Sequence, residues 1–178
     1  MNKSDIEQLY LFRIATKRAL VLKYFLAQKN GIETLIKCSA SPENYPLPDY
    51  SSWVITHFAK NYPNEIEKYQ PQLIDAFLQS DNQTVLRNLA VALILLPLSE
   101  HREGELYDAL LIHLQNADNK VALHVNCVYK LIQFMKKHIE LKDEIHATIK
   151  LTTSRNKQAS LLAAERKFLK IYEKQRHS

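Results

Sequence analysis

Only two glycines, Gly31 and Gly104, occur in a chain of 178 residues. Sandwiches, barrels and phosphate-cradling loops need residues at positive φ or close backbone approaches, the positions glycine fills. Their scarcity points to helices and argues against nucleotide loops of the Walker and Rossmann kinds. With 46% hydrophobic and 24% charged residues, the chain lies in the range of folded globular proteins. It is long enough to bury a core without disulfides or a structural metal, and it reads as a single domain over residues 1–178.

Apolar periodicity near 3.6 runs through most of the sequence, and no strand pattern competes with it. Ser4-Asp5-Ile6-Glu7 has the form of a capping box and predicts a long helix from Ser4 to Gln28. Asn30-Gly31 ends it, and a brief helix carrying Ile32, Leu35 and Ile36 follows. Ser39 to Pro48, with three prolines and two serines, predicts a loop. Beyond it, helices are expected at 50–61, 64–79, 83–98, 103–115, 120–138, 141–151 and 156–174. Pro71 suits a first turn or a kink, while Asp81, Asp118 and Ser154 are the expected caps of the helices that follow them.

These helices repeat. A shift of 36 residues places Val85 on Val121, Leu89 on Val125, Leu93 on Tyr129 and Leu96 on Ile132. A further shift of 37 places Asn119 on Asn156, Ala122 on Ala159, Val125 on Leu162, Lys130 on Lys167 and Ile132 on Leu169. Trp53, Val54 and Phe58 suggest an earlier unit, making roughly four. Self-similarity at this period is the mark of units that each bury an apolar face against a neighbour.

Leu73-Ile74-Asp75-Ala76-Phe77-Leu78 followed by Asp81, Val85 and Arg87, and Leu106 to Leu114 followed by Asp118, Lys120 and Val121, resemble the HEAT-repeat family. The resemblance covers residues 49–174, with residues 1–38 as N-terminal capping helices. It departs from the family pattern in the last unit, where Arg155 stands near the expected Asp. It implies an all-α fold, a right-handed α-α superhelix of about eight or nine helices. The layout is also similar to small stand-alone helical proteins, some of which carry the label adenylosuccinate lyase. Such a lyase is a much longer chain with a serine-bearing flexible loop rich in small residues, and no segment here corresponds to that loop. HEAT-like DNA glycosylases need an acidic catalytic residue amid tryptophans. Trp53 is the only tryptophan, with Asp49 the one acidic neighbour on its face, so that activity does not carry over.

The net charge of +5 is unevenly spread. Residues 1–37 carry seven Lys/Arg against three Asp/Glu, residues 38–129 five against eleven, and residues 130–178 twelve against five. The chain is thus basic at both ends and acidic in the middle, which favours an acidic partner or simply solubility. The stacking implied by the resemblance would align Arg87, Lys130 and Lys167 as a surface ladder, with Arg166 and Lys170 beside it. These five are the candidate partner-binding residues. The expected partner is a protein or acidic peptide. Nucleic acid is the alternative, disfavoured because aromatics are not interleaved with the cations along the sequence.

Catalysis finds little to build on. Seven histidines form no HxH or HExxH pattern. His124 and Cys127 share a helix face but make only two donors, and His57 and His113 read as packed side chains. There is no nucleophile elbow. Glu65 with Glu67, and Glu103 with Glu105, read as solvated helix starts favoured by the macrodipole. Cys38 and Cys127 lack CxxC spacing, which fits a reducing, cytoplasmic setting. The longest apolar run, Leu89 to Leu98, is too short for a bilayer. The expectation is a non-catalytic binding scaffold without cofactor, metal or membrane.

Overall fold

The structure, a computed structural model, describes residues 1–41 and 45–176. Pro42 to Asn44 of the expected loop lie outside the described residues. Among the described residues there are eleven α-helices and no strand. The expected eight or nine helices become eleven because two of them are broken. The chain divides into two compact units, Met1–His101 and Arg102–Ser178.

The first unit holds α1 (Lys3–Leu11), a 3₁₀ turn (Ala15–Lys17), α2 (Arg18–Ala27), α3 (Gly31–Ser39), α4 (Leu47–Asn61), α5 (Pro63–Glu67), α6 (Gln70–Gln79) and α7 (Gln83–Ile94). Here α3 pairs with α4 and α6 with α7, and the pairs stack like on like, α3 against α6 and α4 against α7. The α1–α2 layer covers them, α1 lying on α4 and α2 on α3. Phe12, Phe25, Leu35, Ile55, Phe58, Phe77 and Leu89 are fully buried in this core.

The second unit repeats the scheme with α8 (Glu103–Gln115), α9 (Val121–Lys137), α10 (Lys142–Arg155) and α11 (Ala159–Arg176). α8 pairs with α9 and α10 with α11, while α8 lies on α10 and α9 on α11. Leu114, Cys127, Leu131, Ile149 and Phe168 form its centre.

The helix predicted from Ser4 to Gln28 is interrupted at Phe12 to Ile14. Tertiary packing decides this, since neither glycine nor proline marks the break. Phe12 turns inward to meet Trp53 and His57 edge-on, with centroids 5.1 and 5.0 Å away. The Phe12 carbonyl, left over at the helix end, accepts from Arg18 Nε at 3.2 Å. The predicted capping box is displaced as well. Asn2 caps α1, its side chain accepting from the Asp5 amide while the Asp5 carboxylate accepts from the Asn2 amide. The helix expected over 64–79 splits at Lys68 and Tyr69, and Pro71 takes the first turn of α6, where its missing N–H is harmless. Asn82, not Asp81, caps α7. Lys120 stands at the start of α9 without a side-chain cap, and Ser154 lies inside α10.

Candidate partner-binding surface

In the second unit, α11 buries Leu161, Ala164, Phe168 and Tyr172. Arg166, Lys167 and Lys170 are exposed; three- and four-residue spacing makes Lys170 a neighbour of both other cations. Lys167 reaches back over α9, its ammonium 4.7 Å from the centroid of the Tyr129 ring. No ion pair engages these three cations among the described residues.

Lys130 departs from the expected surface position: it is 1% exposed, and its ammonium donates to Gln133 Oε1 at 2.8 Å. Burial pushes its pKa down to about 8, against the pull of the Glu103 carboxylate. The expected ladder set unlike positions in line, since Arg87 and Lys130 are 43 residues apart and Lys130 and Lys167 are 37 apart. Leu93, Lys130 and Lys167 do share a spacing of 37, yet the first two are buried and Lys167 is exposed, so packing rather than spacing sets the burial of Lys130.

Arg87, in the first unit, is exposed on α7, with its Nε and Nη2 3.4 and 3.2 Å from the Asn88 side-chain oxygen. Asn88 is buried and locks α7 to α4. Its side-chain amide donates to Ser52 Oγ at 3.0 Å, and its backbone carbonyl accepts from Thr56 Oγ1 at 3.1 Å.

The first unit also assembles a group that the sequence did not disclose. Arg18 lies 4.6 Å from the Trp53 ring centroid and 5.7 Å from that of Phe12, and Arg13 lies 5.8 Å from that of Tyr50. Tyr10 and Tyr50 meet edge-on at 5.7 Å. Burial, then the nearby charges of Arg18 and Lys60, hold the His57 imidazole below its ordinary pKa. Cations and aromatics do interleave here, but across α1, α2 and α4, some forty residues apart in sequence. Only the repeat pairing of these helices could have signalled it.

Among the described residues no three His, Cys, Asp or Glu side chains converge on a possible metal position. Cys127 is fully buried, which raises its thiol pKa. Glu105 stands exposed in the first turn of α8 as expected, and it also pairs with Arg102. Glu103 is not merely solvated: it accepts from Lys137 Nζ at 3.0 Å and lies 2.9 Å from His138 Nε2. Burial opposes its charge, but these partners outweigh it and hold the carboxyl below the usual range. No helix among the described residues is long and apolar enough to cross a membrane.

Antiparallel helix pairs stacked like on like, seen in each unit, define a helical-repeat protein. A scan of protein families matches the HEAT repeat domain over residues 16–172. The chain belongs to the HEAT repeat family. Comparisons with curated proteins and with solved structures each found no match.

Proposed function

We propose that this protein is a non-catalytic scaffold that binds an acidic protein segment on the α9–α11 face of its second unit. HEAT repeats commonly serve as protein-interaction scaffolds. The observation that carries the reading is the set of three exposed cations, Arg166, Lys167 and Lys170, free of ion pairs beside the Tyr129 ring. Arg87 is exposed on α7 of the first unit, and Lys130 is buried, donating to Gln133, so neither is counted in this surface.

Replacing Arg166, Lys167 and Lys170 by Glu tests the reading. The triple variant should keep the wild-type melting temperature yet lose about tenfold or more in affinity for partners captured by the wild-type chain. Capture of the same proteins to the same extent would refute it. Nucleic acid is the second reading, favoured by the stacking of Lys167 on Tyr129 and of Arg18 on Trp53. It requires DNA or RNA binding that weakens as salt rises, and salt-insensitive titrations reject it.

A further inference from the structure

In the first unit, α2 is apolar on both of its sides. Val21, Leu22 and Phe25 face the core and are buried, as in any amphipathic helix. The outward side consists of Ala19, Leu20, Lys23, Leu26 and Ala27, which fall within about 120° of one another around the helix axis. All five are exposed, Leu20 to 58%, and Lys23 alone among them is polar. The corner joining α1 to α2 adds Leu11 and Ile14, also exposed. A helix that is apolar all round is ordinarily buried, and the covering layer of a helical repeat needs a polar outer face to remain in water. In the second unit α10 meets that need: it exposes Asp143, Glu144, Lys150, Ser154 and Arg155, with Leu151 its one large exposed apolar side chain. The outer side of α2 is therefore a face awaiting cover.

Charge indicates what covers it. Residues 8–32 contain Arg13, Lys17, Arg18, Lys23 and Lys29 and no Asp or Glu. Arg18 turns inward onto Trp53. The other four are exposed and take part in no ion pair among the described residues. Of the acids on α1 to α3, Asp5 is buried and accepts from Tyr24 and Gln28, and Glu33 pairs with Lys37, which leaves Glu7 as the exposed one.

We propose that the outer side of α2 and the α1–α2 corner dock on the surface of an anionic lipid bilayer. Leu11, Ile14, Leu20 and Leu26 enter the headgroup layer, while Arg13, Lys17, Lys23 and Lys29 meet lipid phosphates. This surface belongs to the first unit and is separate from the α9–α11 face. With ten residues, α2 lies on the bilayer and does not cross it. Side-chain type selects lipid over protein. Protein interfaces favour aromatic residues, Met and Arg and are depleted in Lys and Ala, whereas Leu with Lys is the composition of helices that lie at a bilayer surface. Lys23, in the middle of the apolar arc, can lay its stem along the leucines and lift its ammonium to the phosphates. A two-fold contact between copies would instead bring the four cations against their own equivalents.

Flotation of the full chain with vesicles of about 30% phosphatidylglycerol in phosphatidylcholine tests the proposal. The chain should float with them, bind phosphatidylcholine vesicles about tenfold or more weakly, and come off as ionic strength rises to about 0.5 M. Leu20→Gln with Leu26→Gln, and separately Lys17→Gln with Lys23→Gln, alter only exposed side chains. Each pair should weaken binding by about tenfold or more at an unchanged melting temperature. Replacing Arg166, Lys167 and Lys170 by Glu should weaken it less than either pair does. Absence of flotation, equal binding to phosphatidylcholine alone, or full binding by the leucine pair would each overturn the proposal. So would a loss confined to the α11 triple variant. Self-association without flotation, abolished in the leucine pair, would assign the face to a second copy and overturn it as well.

Discussion

Lys130 is the residue at which sequence and structure part most sharply. A lysine in a helix is ordinarily read as surface, and the expected ladder with Arg87 and Lys167 placed it there; packing buries it instead. The consequence is energetic. Its folded pKa of about 8 lies below the ordinary value of 10.5, so folding disfavours its charge. Below pH 8 both folded and unfolded chains carry the proton and the penalty is complete. As pH rises from 8 toward 10.5 the folded form loses the proton first, and the penalty fades. That difference is worth up to about 3 kcal/mol. Lys130→Met should therefore match or exceed wild-type stability at pH 7, and the wild-type urea midpoint should rise relative to that of the variant between pH 7 and 10, the other groups that titrate there being common to both. A variant less stable at both pH values would show that the Gln133 contact outweighs desolvation.

Among the helices, legibility followed the cause of each boundary. α8 occupies the residues expected of it, because acidic residues start it and Asn116 ends it within the local chain. The break at Phe12–Ile14 was hidden because partners elsewhere, Trp53 and His57, meet Phe12, whereas the one at Lys68–Tyr69 has a local mark in Pro71, which opens α6. The two glycines separate local from tertiary control in the same way. A Cβ on Gly31 would lie 1.9 Å from the Phe25 carbonyl oxygen, so the α2–α3 turn admits no side chain. One on Gly104, in the first turn of α8, would meet nothing within 4 Å. Gly31→Ala should cost roughly 2–4 kcal/mol, since backbone cannot give way. Gly104→Ala should gain up to about 1 kcal/mol. Thermal melts followed by circular dichroism check both, and similar effects from the two substitutions would contradict the packing at Gly31.

At the scale of the molecule, the all-helical class and the repeat family were readable because apolar periodicity and self-similarity are carried by the chain itself. The candidate surface was readable only in part. Arg166, Lys167 and Lys170 stand exposed as their spacing implied, but the aromatic partners of Arg13 and Arg18 are supplied by α4, and no count along the chain finds them. The stacking of helices that creates such neighbours also encloses the two thiols, Cys38 in the first unit and Cys127 in the second, both free. Cys38 borders a cavity of about 500 Å³, whereas Cys127 has none beside it among the cavities described and is 0% exposed. Cys127 can be alkylated only when its surroundings part, while Cys38, 9% exposed beside its cavity, needs less opening, so under native conditions labelling rates report how each site opens. Cys38 should label about tenfold or more faster than Cys127, and mass spectrometry of timed quenches reads both at once. The protein thus carries a chemical stopwatch in each half, able to report breathing in one unit without disturbing the other.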